Sequence, residues 1–109
     1  MVKINQDELI FDTSRGQLIL NKMESDVSHD NSSIYLTPSE FEILYLLLEN
    51  KSELISKQEI CCRALLYQSD LNTRTVDTHL YNIKKKLKLI NPDLDKFIRC
   101  YPGRGYRID

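Results

Sequence analysis

The chain holds 109 residues, 41% of them hydrophobic and 28% charged, with three glycines and three prolines. That suits one domain with a single modest core, and it excludes a disordered tract, a collagen-like repeat or a proline-rich linker. The net charge of −1 conceals a gradient: residues 1–73 carry −6 and residues 74–109 carry +5, a division that points the C-terminal end towards a polyanion.

From the N-terminus, Leu9–Phe11 and Gln17–Leu20 read as short strands about a turn at Thr13–Gly16. Glu24 to Ser33 is polar and aperiodic, which predicts a mobile loop, and Ile34–Leu36 predicts a further strand. Thr37-Pro38-Ser39-Glu40 then supplies a capping Thr, a Pro at the first helical position and a Glu three residues after the cap. Phe41, Leu44, Leu47 and Leu48 follow at helical spacing, so one face of this helix is expected in the core. The longest apolar run, Ile43 to Leu48, is too short to span a membrane, and no basic stretch leading into an apolar core marks a signal peptide.

Ser56-Lys57-Gln58-Glu59 repeats the capping pattern, and Ile60, Ala64 and Leu65 give the second helix its seam. Tyr67 to Thr73 reads as a connecting loop. A third helix carries Val76, Leu80, Ile83 and Leu87, and Asn91-Pro92 ends it. Phe97–Tyr101 and Tyr106–Ile108 read as two strands around Pro102-Gly103-Arg104-Gly105.

This order predicts an α+β fold, a winged helix-turn-helix. Residues 1–36 would form an N-terminal antiparallel sheet, 37–90 a three-helix core and 97–109 a C-terminal β-hairpin wing. The third helix, over residues 74–88, is the most informative. At about 100° per residue its four apolar residues fall within about 60° of arc. Arg74, Thr78, Tyr81, Asn82 and Lys85 lie opposite, and Asp77, His79, Lys84 and Lys86 lie on the flanks. That face mixes groups able to hydrogen-bond base edges with cations suited to phosphate. A surface helix with a purely structural role would more often show Glu–Lys pairs four apart, and residues 74–88 contain no Glu.

Leu36-Thr37-Pro38-Ser39-Glu40-Phe41-Glu42-Ile43-Leu44, Arg74-Thr75-Val76-Asp77-Thr78-His79-Leu80, Lys84-Lys85-Lys86-Leu87 and Gly103-Arg104-Gly105-Tyr106-Arg107 stand in one order and spacing. In these four blocks the chain resembles the OmpR/PhoB-type effector domain, the DNA-binding end of bacterial two-component response regulators, over residues 34–109. The resemblance implies double-stranded DNA as partner, with promoter repeats engaged by two copies. Arg74, Thr75 and His79 would meet phosphate or hold the helix start against it. Asp77 and Asn82 would approach base edges beside Thr78 and Tyr81, and Lys84, Lys85 and Lys86 would meet the backbone. The turn at 102–105, with Arg104, would enter the minor groove, and the loop at 67–73 would face RNA polymerase.

Two departures from the family pattern stand out. Tyr81 and Asn82 occupy helix positions where response regulators usually carry Arg or Lys, which suits a site leaning towards A·T pairs. Pro102 replaces the usual wing arginine, an arrangement closer to the membrane-bound ToxR/CadC-like regulators. The resemblance therefore leaves open a free-standing effector domain or the cytoplasmic part of a longer regulator with a receiver or transmembrane segment.

Plainer readings stand beside these. The basic run can be a solvated face, Asp77 can pair with Arg74 one turn away, and His79 can be a packed histidine. Cys61, Cys62 and Cys100 make neither a disulfide framework nor a metal-ligand spacing, so a reduced cytosolic chain without cofactor is expected. No phosphate-binding glycine loop or nucleophile–base pair is present, so no catalysis is expected. The alternative function is a winged-helix module that contacts another regulator or polymerase with little DNA affinity.

Overall fold

The structure, a computed structural model, describes residues 8–13, 16–64 and 73–108. Four antiparallel strands come first: β1 (Glu8–Thr13), β2 (Gly16–Asn21), β3 (Asp26–His29) and β4 (Ser32–Tyr35), in spatial order 1-2-3-4. Alternation turns Leu9, Leu18, Leu20 and Val27 into the core. The segment expected to be a mobile loop, Glu24 to Ser33, is instead mostly hairpin. Asp26 pairs with Tyr35 and His29 with Ser32, leaving Asp30-Asn31 as a two-residue connection with Asp30 at a φ of 55°. Its inward positions are Val27 and His29, and a buried histidine at one of two inward sites hides the strand period from a hydrophobicity reading. Tight packing holds that imidazole: a Cβ at Gly16 would lie 3.0 Å from His29 Nε2. The following strand ends at Tyr35, with the buried Leu36 just beyond it.

The first helix, α1 (Pro38–Glu49), begins as expected. The Glu40 N–H donates to Thr37 Oγ1 at 3.2 Å, and the Thr37 N–H donates to Glu40 Oε1 at 3.0 Å. Phe41, Ile43, Leu44, Leu46, Leu47 and Leu48 are all buried. In α2 (Lys57–Ala64), Ser56 Oγ accepts from the Glu59 N–H at 3.1 Å, and Ile60, Cys61 and Ala64 face inward. Leu65 and the expected loop, except Thr73, lie outside the described residues. The third helix, α3 (Thr73–Ile90), runs 18 residues, and its four apolar residues are each at most 1% exposed.

A short 3-10 helix (Leu94–Phe97) follows Pro92. It takes Phe97, expected to start a strand, and buries it with Leu94. The wing is β5 (Ile98–Tyr101) paired with β6 (Gly105–Ile108). Pro102 and Gly103 occupy its turn, where the Arg104 N–H donates to Tyr101 O at 2.8 Å and Gly103 has a φ of 75°. That is the type II pattern, which needs a residue tolerant of positive φ at its third position. At the wing's base, Ile55 and Tyr106 exchange two backbone hydrogen bonds of 2.9 Å, and the Ser52 N–H donates to Ile108 O at 2.7 Å. Gly105 permits this approach, because a Cβ there would lie 2.0 Å from the Ile55 carbonyl oxygen. No helix among the described residues is long and apolar enough to cross a membrane.

Candidate nucleic-acid interface

Burial of Val76, Leu80, Ile83 and Leu87 under α1 and α2 fixes which side of α3 faces solvent. Arg74, Thr78, Tyr81, Lys85 and Lys88 are exposed along one ridge. At about 1.5 Å per residue the helix is about 27 Å long, enough to lie across several base pairs. Thr78 Oγ1 donates back to the Arg74 carbonyl at 3.2 Å, which leaves its oxygen lone pairs outward. Tyr81 is 66% exposed, far above what packing requires of an aromatic side chain. Thr75 and Asn82 are half-buried on the flanks.

Tyr81, Lys84, Lys85 and Lys88 surround a hollow of about 350 Å³ between the C-terminal half of α3 and the 3-10 helix, with Asp95 as its acidic member. Lys84 also donates to the Ile98 carbonyl at 3.2 Å, so its stem bridges α3 to the wing's first strand. A second hollow, of about 230 Å³, lies between the start of α2 and the wing turn. Ser56, Lys57, Gln58, Gly103 and Arg104 line it. Arg104 therefore stands beside the first turn of α2 and is exposed on the turn itself.

Three residues of the expected site are directed elsewhere. Lys86 is not on the open face: its Nζ donates to Glu40 Oε1 at 2.6 Å, where the Glu40 side chain is 4% exposed. The lysine one position before it carries no ion pair among the described residues, so adjacent cations have separate destinations. Asp77, read as approaching base edges with Arg74 as the plainer alternative partner, accepts from Tyr106 Oη at 2.5 Å on one oxygen and from Lys57 Nζ at 3.0 Å on the other. The Tyr106 hydroxyl and then Lys57 hold its carboxyl below the usual carboxylate range, against the opposing effect of burial. Burial, and next the Asp77 carboxylate, push the Tyr106 phenol far above its ordinary value. His79 is half-buried, with Nε2 enclosed and lacking a hydrogen-bond partner among the described residues.

Sequence reasoning missed Lys57 and placed Tyr106 only in a strand of the wing. Their partner Asp77 is 20 and 29 residues away respectively, and no local spacing announces such contacts. Among the described residues no cluster of His, Cys, Asp or Glu could hold a metal ion. Of the thiols, Cys61 is buried and raised above its ordinary pKa by that burial and by Cys62, while Cys62 and Cys100 are exposed.

Comparison with known proteins bears on this geometry. The family described as "Transcriptional regulatory protein, C terminal" matches residues 31–108. The chain belongs to this family. The response regulator ArlR of Staphylococcus aureus is 33% identical over 91 residues, which cover 84% of this chain and 41% of that protein, so the chain spans well under half of the curated relatives it matches. Among solved structures, the DNA-binding domain of E. coli CpxR is 27% identical at a TM-score of 0.70, covering 93% of this chain and 94% of that one. The DNA-binding domain of E. coli CadC reaches a TM-score of 0.80 over 96% and 94% at 18% identity, and it supports the fold alone. As a member of this family, of OmpR/PhoB type, the protein has the winged-helix architecture that its helices and wing display.

Proposed function

We propose that this domain regulates transcription by binding double-stranded DNA, with α3 in the major groove and the turn at 102–105 in the adjacent minor groove. One observation carries the reading. The helix side left open by the core is a ridge of hydrogen-bonding and cationic groups, Arg74, Thr78, Tyr81 and Lys85, and it lies within the residues that the family matches. Tyr81 and Asn82 would meet base edges, while Arg74, Lys84, Lys85 and Lys88 would meet phosphates, with Arg104 reaching into the minor groove. Lys86 and Asp77 stand outside the contact set because the charge of each is taken by an ion pair within the protein, whereas Lys84 meets only a backbone carbonyl. His79 stays with the packing of the helix start.

Two copies on half-sites about one helical turn apart would compensate for the small footprint of one domain. The relatives named response regulators, which are longer than this chain, support placement in a longer two-component protein, and a cytoplasmic place of action goes with the duplex-binding reading. Contact with RNA polymerase through residues 67–73 rests on the family resemblance alone.

Fluorescence anisotropy with A·T-rich and mixed-sequence duplexes at low salt tests the reading. The native protein should bind, and Lys85→Glu should abolish binding while leaving the circular dichroism spectrum intact. Equal binding by Lys85→Glu would remove α3 from the interface, and failure of the native protein to bind any duplex would favour the protein-contact module.

A further inference from the structure

We propose that Lys57, Asp77 and Tyr106 form a latch that sets the wing's position against the recognition helix, so that Asp77 serves DNA binding by holding the wing rather than by reading a base. The proposal rests on the duplex-binding reading above. The three residues come from three elements: Lys57 opens α2, Asp77 lies in the second turn of α3, and Tyr106 belongs to β6. Both carboxylate oxygens are occupied, one by the phenol at 2.5 Å and one by the ammonium at 3.0 Å. These two donors, one on each oxygen, fix the direction of the carboxylate towards α2 and the wing. Its charge, which would repel nearby phosphates, is offset by the lysine beside it.

The wing needs such a hold. Two four-residue strands make a hairpin that is marginal alone in water, and its base is fixed to residues 52–55 by backbone hydrogen bonds. Those bonds tie the wing to the chain before α2. Register against α3 comes from side chains: Tyr106 reaches Asp77, and Lys84 reaches the Ile98 carbonyl. Arg104 lies only two residues before Tyr106, on a turn whose Gly103 has open space around it. A shift of β6 along α3 would therefore move the minor-groove arginine relative to the major-groove ridge. A protein that engages two grooves at once binds well only when that spacing is held.

Charge and latch make opposite predictions for one substitution. If Asp77 only contributes a negative charge near phosphates, Asp77→Asn tightens binding. If it holds the wing, Asp77→Asn and Tyr106→Phe both weaken it, by up to about fivefold, no more than removing the wing arginine itself costs. A double-mutant cycle with Arg104→Ala separates positioning from general destabilisation. On a duplex long enough for both grooves, Arg104→Ala should weaken the native protein by about fivefold and Tyr106→Phe by less than about twofold. Additive losses, or tighter binding by Asp77→Asn, would overturn the latch.

Amide hydrogen exchange without DNA gives a second reading. Tyr106→Phe should speed exchange in β5 and β6 while leaving α1 unchanged, and an unchanged wing would overturn the proposal. If the native protein binds no duplex, the DNA reading fails on its own, and hydrogen exchange still decides whether the latch holds the wing.

Discussion

Replacing Lys86 by Met keeps the length of the side chain and removes only its charge. Glu40 would then keep a carboxylate that is 4% exposed, with the Thr37 N–H as its remaining hydrogen-bond donor. Breaking a buried ion pair by removing one partner costs about 3–5 kcal/mol. The ammonium end here is 30% exposed, and the positive end of α1 lies beside Glu40, so about 2–4 kcal/mol is the appropriate expectation. At a urea dependence of about 2 kcal/mol per molar, the middle of the usual range for small domains, the unfolding midpoint should fall by about 1–2 M. Adding Glu40→Gln should restore most of the loss, because the double variant no longer strands a charge. Folded Lys86→Met should bind duplex as the native protein does at the same salt. A midpoint shift below about 0.3 M, joined to a shallower salt dependence of binding, would refute the reasoning and return Lys86 to the DNA face.

Three further outcomes follow from particular contacts. Gly105→Ala would force a Cβ to within 2.0 Å of the Ile55 carbonyl at a φ of 139°, so the wing should separate from residues 52–55 at a cost above about 2 kcal/mol, read as lost wing protection in hydrogen exchange. Asp77 has a folded-state pKa below its unfolded value; its contribution is complete above about pH 4 and is lost as pH falls through the folded pKa. Asp77→Asn should thus cost about 1 kcal/mol at pH 7 and progressively less as pH falls below about 4, measured by urea titrations across that range. Asp26 shows the reverse: burial, then Glu24 and Glu8, raise its pKa, so its ionised form opposes folding. Asp26→Asn should raise the melting temperature at pH 7, and the gain should vanish below about pH 4.

What the sequence revealed depended on whether the deciding contacts were local. The start of α1 was legible because Thr37 and Glu40 cap each other within one turn. The exposed ridge of α3 was legible because four apolar residues at a regular spacing fix the side that must be buried. The β3–β4 hairpin was not, since one of its inward residues is His29 and its turn residues resemble those of an open loop. Helical position sets Lys85 opposite the core and Lys86 on a flank, but the ion pair that takes Lys86 was not legible, since Glu40 stands 46 residues away in the chain. Asp77 shows the same limit, for an arginine one turn away is a reasonable local partner, whereas packing of α2 and the wing supplies two others.

The most direct test of the DNA-binding account is the salt dependence of duplex affinity for the native domain and for Lys85→Gln. With about 5–7 phosphate contacts, the logarithm of affinity should fall against the logarithm of salt with a slope of about −4.5 to −6, and Lys85→Gln should make it shallower by about 0.9. A slope near zero, or one that the substitution leaves unchanged, would contradict the placement of α3 against the DNA backbone.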